Sequence, residues 1–408
     1  MNMSVKNLGV FFGSRSCEHE VSVISAVQLM NEADKEKYNV IPVYISQKGD
    51  WFTGDVLRDI KTYTPFDPFR SDIKKVRLDM TPGSGALLHY SQGKGLFRGL
   101  TEEVAARIDC AVLVFHGMNG EDGSIQGLFE LANIPYTSTG ITASAVGMDK
   151  ITMKCFFRGM GYPVLPSVTA IRSDFEKDRD GVIRNIRENL GYPVFVKPAC
   201  LGSSIGVSRA DNDAKLIDAL ELAFSYDRRV LVEKGLDKPI EVNCSVLGYD
   251  DQVHSSVIEM PNTGSDFLDF SEKYLAGSSS AKGMASLKRI IPAPIGEELT
   301  AKIRALSEDI FRSMDCKGVV RIDYMLDRFS DQFYITEINT IPGSLAFYLW
   351  TETGLSYKQL IDKMVEYAVR AHEDKNNNNY AFTSDILKGI SFGGTKGCKG
   401  AKLGGVKG

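Results

Sequence analysis

Short apolar runs alternate with helical repeats of apolar positions along the first third of the chain. The runs predict strands at 8–12, 38–45 and 111–115. A helical pattern covers 126–132, and another is formed by Val21, Ile24, Val27 and Met30. Alternating strands and helices predict an α/β unit with a largely parallel sheet. From 51 to 107 the pattern weakens and turns polar, so we interpret this stretch as an insertion on the first unit.

The rest of the chain has the pattern of a mixed α+β region. Strands are expected at 193–197, 205–209, 230–233, 240–247 and 252–260, and helices at 142–160, 215–224, 297–314 and 357–372. The segments 319–326 and 332–339 flank a polar turn, which predicts a β-hairpin. From 376 onward the chain is rich in Asn, Gly and Lys, with little to bury. We expect a disordered end there, and a basic arm that contacts phosphate or a partner is the alternative.

The composition narrows the class of protein. A chain of 408 residues with 43% hydrophobic and 25% charged residues predicts a soluble protein of two or three domains. A net charge of −4 gives no reason to expect a nucleic-acid partner. The chain has no apolar run near the roughly 20 residues that span a bilayer, and no signal-peptide pattern, so we expect a cytoplasmic protein without a membrane partner. The seven scattered Cys predict reduced thiols rather than disulfides or a zinc site.

The predicted C-terminal hairpin carries paired polar residues. Arg321 and Asp323 lie two apart on its first strand, and Glu337 and Asn339 lie two apart on its second. Strand side chains alternate, so we expect all four on one face. Two carboxylates held close together favour a divalent cation, and Mg²⁺ suits a few carboxylates combined with substrate phosphates. A surface ladder of salt bridges is the alternative for this face.

Two lysines and a glycine–serine loop are candidates for phosphate binding. Lys197 ends a predicted strand and is followed by the loop residues Gly202, Ser203 and Ser204, whose N–H and hydroxyl groups can donate to phosphate oxygens. The segment lacks the Walker pattern. On pattern alone, such a loop is more often an ordinary hairpin turn, and Lys150 alone is more often a solvated helix lysine.

Two further segments have a weaker signal. The strand at 230–233 breaks after Lys234, as at an inter-domain hinge whose backbone pairs with an adenine edge, with Glu241 just beyond. The glycine-rich stretch 116–123 follows an apolar strand, where ligands gather in parallel sheets. It is either the wall of a site or a tight turn with a satisfied His116.

These segments, taken in order, resemble the D-alanine–D-alanine ligases. The similar stretches are Ser-Cys-Glu-His-Glu-Val-Ser at 16–22, the run 116–150, the loop 197–206, Phe-Leu-Asp-Phe-Ser-Glu-Lys-Tyr at 267–274 and Glu-Ile-Asn-Thr-Ile-Pro-Gly at 337–343. The similarity covers roughly residues 5–373, and the joint match is specific although each motif alone is not.

The resemblance implies an ATP-grasp fold, of α/β and α+β type, in three domains. ATP is expected between the central and C-terminal domains. The expected boundaries are 1–140 for the first domain, with its insertion at 51–107, then 141–233, 234–375 and a tail at 376–408.

The resemblance also implies a role for each matching residue. The residues expected at the ATP phosphates are Lys150, Lys197, Lys273, Gly202, Ser203 and Ser204. Those expected at adenine and ribose are Glu233, Lys234, Leu236 and Glu241, with Phe267 packing nearby. Two Mg²⁺ ions, replaceable by Mn²⁺, are expected on Asp323, Glu337 and Asn339. The expected catalytic residues are Glu18, Ser203 and Tyr274 as a hydrogen-bonded set, Arg321 and Gly343 as oxyanion donors, and His116 near the reacting carboxyl group.

The implied reaction is the ATP-dependent joining of two D-alanines through an acyl-phosphate, for peptidoglycan precursor synthesis. The implied partners are ATP and D-amino acids, and the implied assembly is a homodimer. An acyl-phosphate hydrolyses readily, so we expect the glycine- and serine-rich segment 262–285 to act as a lid that excludes water.

One departure from the family leaves the second substrate open. Tyr348 stands where the family has a serine that contacts this substrate. D-serine or an amino acid of a secondary metabolite is therefore an alternative to D-alanine. Tyr274 is the residue type of dipeptide-forming members, which favours an amine nucleophile over a hydroxyl.

Two other functional classes fit the sequence less well. A nucleotide-binding regulator without catalysis would not need the full set of metal ligands. A dehydrogenase would need a G-x-G-x-x-G turn after the first strand, and the chain has Gly-Ser-Arg-Ser-Cys there.

Overall fold

The computed structural model describes residues 6–92, 100–261, 289–330 and 332–379. The first part of the chain forms β1 (Lys6–Gly13), α1 (His19–Glu32), β2 (Tyr38–Ile45), β3 (Trp51–Thr53), β4 (Lys74–Leu78), β5 (Ala86–Gln92), β6 (Leu100–Arg107), β7 (Cys110–Val114) and α2 (Ser124–Leu131). The middle part forms α3 (Ile141–Met148), α4 (Lys150–Gly159), β8 (Ser167–Ile171), α5 (Arg172–Lys177), α6 (Arg179–Leu190), β9 (Val194–Pro198), β10 (Ser208–Ala210), α7 (Asp213–Tyr226) and β11 (Arg229–Lys234). The last part forms β12 (Ile240–Tyr249), β13 (Gln252–Pro261), β14 (Arg289–Ile290), α8 (Glu297–Ser313), β15 (Gly318–Leu326), β16 (Phe333–Asn339), α9 (Phe347–Glu352) and α10 (Tyr357–Asn376).

The first sheet has seven strands in the order β6-β5-β4-β3-β2-β1-β7. Strand β1 pairs in parallel with β2 and β7, and the other four pairings are antiparallel. The prediction of a largely parallel sheet therefore holds for three strands and is wrong for the sheet as a whole. The stretch 51–107, interpreted as an insertion, contributes β3 to β6 to this same sheet. Its short connections allow antiparallel neighbours, whereas a parallel pair needs a crossover such as α1.

The second sheet is a four-stranded antiparallel layer in the order β10-β9-β11-β8. Helices α6 and α7 bury their apolar faces against it, including Ile186 and Leu220, both 0% exposed. The single helix predicted at 142–160 is two helices, α3 and α4. They divide at Asp149, whose carboxylate accepts hydrogen bonds from Ile151 and Thr152 and so caps α4.

The third sheet has five strands in the order β14-β13-β12-β15-β16. One of its faces packs on α8 in a core that contains Ile322, Ile335 and Ile338. The predicted hairpin is confirmed as β15 and β16. Helix α10 runs to Asn376, beyond its predicted end, and packs against the core of the first sheet.

Some predictions lie outside the described residues. These are the lid at 262–285, the expected site residues Phe267, Lys273 and Tyr274, and most of the tail, from 380 on. Among the described helices, none combines the length and the apolar character needed to cross a bilayer.

Candidate active site

A row of polar side chains crosses the third sheet at one level. Glu259 of β13 pairs with Asn243 of β12, and Asn243 pairs with Asp323 of β15. Asp323 in turn pairs with Glu337 of β16. Directly opposed residues share a face, with Cβ atoms about 5 Å apart. Three carboxylates and an amide therefore line one face of the sheet, opposite the apolar core.

Arg321 and Asn339 bind the central carboxylate of this row. Two guanidinium nitrogens of Arg321 donate to the two Asp323 oxygens, both at 2.7 Å. Asn339 Nδ2 donates to Asp323 Oδ2 at 3.0 Å. Ile322 and Ile338, which alternate with these residues, are 0% and 4% exposed in the core. The four polar residues form one cluster, with the alternation expected from the sequence.

Burial and neighbouring carboxylates oppose the ionised form of Asp323 in this cluster. Burial raises the pKa of Asp323, Arg321 opposes that effect, and the neighbouring Glu337 and Glu259 raise the pKa further. For Arg321, the Asp323 carboxylate outweighs burial and raises the pKa. Repulsion between close carboxylates is relieved by a nearby positive charge.

The donor set fits Mg²⁺ rather than a softer metal. Among the described residues, no group of three or more His, Cys, Asp or Glu side chains is arranged to hold a metal ion. The predicted site instead combines the carboxylates of Asp323 and Glu337 with the amide of Asn339. Mg²⁺ typically takes one or two carboxylates and completes its octahedron with water and substrate phosphates. Two opposed carboxylates and an amide oxygen match that requirement.

Two lysines from the middle of the chain lie beside this carboxylate row. Lys150 Nζ is 3.6 Å from Glu337 Oε2 and donates to the Leu201 carbonyl at 2.8 Å. Burial lowers the pKa of Lys197, but Glu233, Glu337 and Glu241 outweigh burial and raise it. Helix α4 and the second sheet therefore bring two lysine ammonium groups to the carboxylate row of the third sheet.

A buried charge cluster anchors Lys197. Its Nζ lies 2.7 Å from Glu233 Oε2, and Lys154 Nζ lies 2.6 Å from Glu233 Oε1. The side chains of Lys154 and Glu233 are each 2% exposed, and Lys154 also donates to the Ile335 carbonyl. The Glu233 carboxylate, expected at adenine, is thus occupied by two lysines. Sequence reasoning missed Lys154, although its i, i+4 spacing from Lys150 on α4 places both on one helix face.

The glycine–serine loop contacts the start of α1. Ser203 Oγ donates to Glu18 Oε1, which joins two of the residues expected in one hydrogen-bonded set. A Cβ on Gly202 would lie 2.5 Å from Glu18 Oε2, so a larger residue would require the Glu18 carboxylate to shift. Ser203 and Ser204 have φ values of 53° and 58°, in the left-handed region that costs non-glycine residues energy.

The glycine-rich stretch after β7 binds the segment that follows β16. His116 Nδ1 is 3.1 Å from the Ile341 carbonyl oxygen, and Nε2 is 3.0 Å from Ser25 Oγ. Glu121 accepts hydrogen bonds from the Gly117 and Ile341 amides at 2.8 and 2.9 Å. Burial, reinforced by Glu18, raises the pKa of Glu121 to about 8. Both ring nitrogens of His116, expected near the reacting group, are therefore engaged by protein atoms.

Tyr348 belongs to a second buried polar cluster near Arg321. Its hydroxyl donates to Glu259 Oε1 at 2.8 Å, and Asn243 donates to the same oxygen at 3.0 Å. Arg289 donates to Glu259 Oε2 at 3.0 Å and stacks over the Tyr348 ring at 3.8 Å. Burial, followed by the Glu259 charge, raises the pKa of Tyr348. The residue that departs from the family pattern thus closes the Glu259 end of the polar row.

The residues expected at adenine and ribose are less closely grouped. Lys234 ends β11 and donates to the Tyr192 carbonyl at 3.2 Å, and the half-buried Leu236 follows the strand. Glu241 lies on β12 opposite Met325 of β15. The charge of Glu241, like that of Glu233, raises the pKa of Lys197.

Comparison with known proteins gives a consistent family. The models for the N-terminus and the C-terminus of D-ala D-ala ligase match residues 7–139 and 156–366. The D-alanine–D-alanine ligase of Thermosipho melanesiensis is 40% identical over 371 residues, which is 90% of this chain and 95% of that protein. The enzyme of the same name from Thermosipho africanus is 38% identical, over 93% of this chain and 98% of that protein.

Solved structures give the same picture. The D-alanine–D-alanine ligase of Coxiella burnetii has a TM-score of 0.74 and 25% identity, covering 91% of this chain and 96% of its own. The VanG D-Ala:D-Ser ligase of Enterococcus faecalis has a TM-score of 0.74 and 28% identity, covering 90% of this chain and 100% of its own.

Proposed function

Because this chain belongs to the D-alanine–D-alanine ligase family, we propose that it joins two D-alanines at the expense of ATP, through an acyl-phosphate. The product is a building block of peptidoglycan. The fold is that of the ATP-grasp enzymes. The observation that carries the assignment of the site is the polar row Asp323–Glu337, beside which Lys150 and Lys197 lie.

The proposed ATP site combines the lysines with the glycine–serine loop. Lys150, Lys197 and the loop 202–204 bind the phosphates, together with Lys273. Lys234, Leu236 and Glu241 bind adenine and ribose, with Phe267 packing nearby. Glu233 contributes to the ATP site indirectly, because it holds Lys154 and Lys197 in place. The central domain at 141–233 and the C-terminal domain at 234–375 form the two sides of this site.

Asp323, Glu337 and Asn339 hold the Mg²⁺ ions in this proposal, and Mn²⁺ can replace them. When bound, Mg²⁺ neutralises phosphate charge while the phosphoryl group moves. Arg321 orients Asp323 through its paired hydrogen bonds at 2.7 Å, and its charge opposes the rise that burial causes in the pKa of Asp323. The amide of Asn339 already lies within hydrogen-bond distance of the same carboxylate.

The first chemical step activates a poor electrophile. A carboxylate oxygen of the first D-alanine attacks the γ-phosphorus of ATP, and ADP leaves with the electrons of the broken P–O bond. This transfer requires positioning and charge neutralisation more than covalent help from the protein. Glu18, held by Ser203, binds the ammonium group of this D-alanine.

The second step forms the peptide bond. The free amine of the second D-alanine attacks the carbonyl carbon, and the C=O electrons move onto oxygen. Arg321 and the Gly343 amide stabilise this oxyanion, which then collapses and expels phosphate while the nitrogen loses a proton. Tyr274 completes the hydrogen-bonded set with Glu18 and Ser203, and the lid segment 262–285 excludes water.

Tyr348 is proposed to shape the second-substrate pocket in place of the serine of other family members. Its ring and hydroxyl are fixed by Arg289 and Glu259. A fixed aromatic ring leaves less room than a serine, which supports a small second amino acid such as D-alanine. The solved VanG enzyme is a D-Ala:D-Ser ligase, so D-serine is the competitor to include in any substrate panel.

Mass spectrometry of products formed from ATP, Mg²⁺ and a mixture of D- and L-amino acids tests the reaction. D-alanyl-D-alanine is expected as the main product. Absence of any dipeptide, with ATP still bound, would instead support a regulatory nucleotide-binding protein. Light scattering tests the proposed homodimer.

Site variants test the assignment of the metal ligands. Asp323→Asn and Glu337→Gln are expected to lower kcat at least about 100-fold, because each removes a charge that holds a cation against the phosphates. Glu188→Gln, which alters an exposed glutamate of α6, is the matched control. Near-normal turnover in either site variant, with circular dichroism unchanged, would refute the assignment.

A further inference from the structure

The segment that carries Gly343 has an unusual backbone. The three residues that follow it, Ser344, Leu345 and Ala346, have consecutive φ values of 48°, 56° and 50°. Each non-glycine residue in the left-handed region costs about 1–2 kcal/mol. All three are buried. A left-handed turn of this kind persists only where surrounding contacts hold it.

Helix α1 of the first domain supplies contacts that hold the turn. The Ser344 amide donates to Ser25 Oγ at 3.1 Å, and the Ser344 hydroxyl donates to Gln28 Oε1 at 2.8 Å. Ser25 and Gln28 lie three residues apart and so face the same side of α1. Backbone and side chain of Ser344 are thus both bound to one helix face.

His116 determines which groups donate and which accept in the hydrogen bonds that lead to the Ser344 amide. The Ile341 carbonyl can only accept, so His116 Nδ1 carries the hydrogen of that 3.1 Å contact. Nε2 is then an acceptor, and the Ser25 hydroxyl donates to it at 3.0 Å. The Ser25 oxygen keeps a lone pair for the Ser344 amide. We call this chain of hydrogen bonds, from Ile341 through His116 and Ser25 to Ser344, the relay. It requires a neutral imidazole, which burial favours because it lowers the pKa of His116 to about 4.

We propose that Ser25 and His116 are positioning residues that aim the Gly343 amide at the oxyanion of the second chemical step. Gly343 lies between the two points where the relay grips the chain, Ile341 and Ser344. The relay therefore restrains the backbone on both sides of the amide. This inference rests on the proposed function, because it takes Gly343 as an oxyanion donor.

The two chemical steps should respond differently when the relay is broken. The oxyanion charge develops when the amine attacks, whereas phosphoryl transfer depends on the lysines and the metal ligands. Loss of one oxyanion donor costs about 100- to 1000-fold in rate. A displaced donor costs less, so we expect Ser25→Ala to slow dipeptide formation about 10- to 100-fold. Acyl-phosphate formation should stay within about threefold of wild type.

The experiment measures both steps in the full-length protein with ATP, Mg²⁺ and D-alanine. Acyl-phosphate is trapped with hydroxylamine, and dipeptide is quantified by rapid quench and mass spectrometry. Ser22→Ala is the matched control, because Ser22 is also a buried serine of α1 but binds Gly13 and Val114 instead of the turn. It should lower stability without changing the ratio of the two rates.

A second pair of variants tests the same relay from its other end. His116→Leu should reproduce the Ser25→Ala effect, and His116→Gln, whose amide oxygen can accept from Ser25, should restore part of the rate. Equal loss of both steps in Ser25→Ala and His116→Leu, or an unchanged ratio in both, would overturn the inference. A wild-type protein that traps acyl-phosphate but makes no dipeptide, or that does neither, would instead overturn the proposed function and the inference with it.

Discussion

Replacing Lys154 tests whether the buried charge cluster stabilises the second sheet beside the proposed ATP site. Lys154 and Glu233 are each 2% exposed and 2.6 Å apart, and Lys197 lies 2.7 Å from the other Glu233 oxygen. Burial alone would raise the pKa of Glu233, but the two lysines outweigh burial and lower it. For Lys154 itself burial prevails and lowers the pKa, because the Lys197 charge is close as well. One carboxylate therefore serves two ammonium groups, and its loss should cost more than the loss of either lysine.

The magnitudes follow from the charge left behind. Removing one partner of a buried pair costs about 3–5 kcal/mol, chiefly because the other charge stays buried without compensation. Lys154→Met leaves Glu233 paired with Lys197, so we expect the free energy of unfolding to fall by about 2–3 kcal/mol. This loss includes the hydrogen bond to the Ile335 carbonyl. Glu233→Gln leaves two buried ammonium groups, so we expect about 5 kcal/mol. The double variant should be destabilised by at least about 2 kcal/mol less than the sum of the two single losses.

Urea unfolding, followed by circular dichroism and tryptophan fluorescence, gives all four free energies of the double-mutant cycle. Lys302→Met is the control, since its ion pair with Glu298 is exposed and should contribute little to stability. An interaction energy below about 0.5 kcal/mol, or a larger loss for Lys154→Met than for Glu233→Gln, would refute the account of the cluster.

Two further predictions concern Tyr348 and His116. Tyr348→Ser should enlarge the proposed second-substrate pocket and raise the rate with D-serine or larger D-amino acids relative to D-alanine, measured by phosphate release. Tyr348→Phe should cost about 1–3 kcal/mol of stability through the lost hydrogen bond to Glu259. Unchanged selectivity in Tyr348→Ser would count against its proposed role. Burial lowers the pKa of His116 from 6.5 to about 4, so below pH 6.5 the unfolded chain binds a proton that the folded chain does not, and stability falls as the pH drops toward 4. Between pH 7 and pH 5 the wild type should lose about 2 kcal/mol more than His116→Gln in urea unfolding, and parallel losses would contradict a buried neutral histidine.

The hairpin was predictable because its pattern is local. Side chains two residues apart on a strand point to the same face. The grouping of Arg321, Asp323, Glu337 and Asn339 therefore follows from this alternation once the two strands pair. The apolar partners Ile322 and Ile338 fix which face is buried. The order of the motifs indicated the family, and the family in turn predicted that Lys197 and Glu18 belong to one site.

The parts that could not be predicted depend on contacts between distant segments. Glu233 was expected at adenine, and its pairing with Lys154 depends on how α4 packs beside β11, which no local pattern encodes. Strand β6, at the edge of the first sheet, has weak alternation because most of its described residues are exposed. The break at Asp149 was hidden because 142–160 keeps a helical pattern on both sides of the cap.

The hydrogen bonds between α1 and the left-handed turn also limit which domains of related enzymes can be combined by recombination. Ser25 and Ser344 are 319 residues apart, so the two halves of this contact are inherited on opposite ends of the gene. A recombination event that replaces the first domain with that of a distant relative brings a helix that has not been selected with this turn. Chimeras that join such halves near residue 140 should therefore work poorly until the residues facing Ser344 are matched.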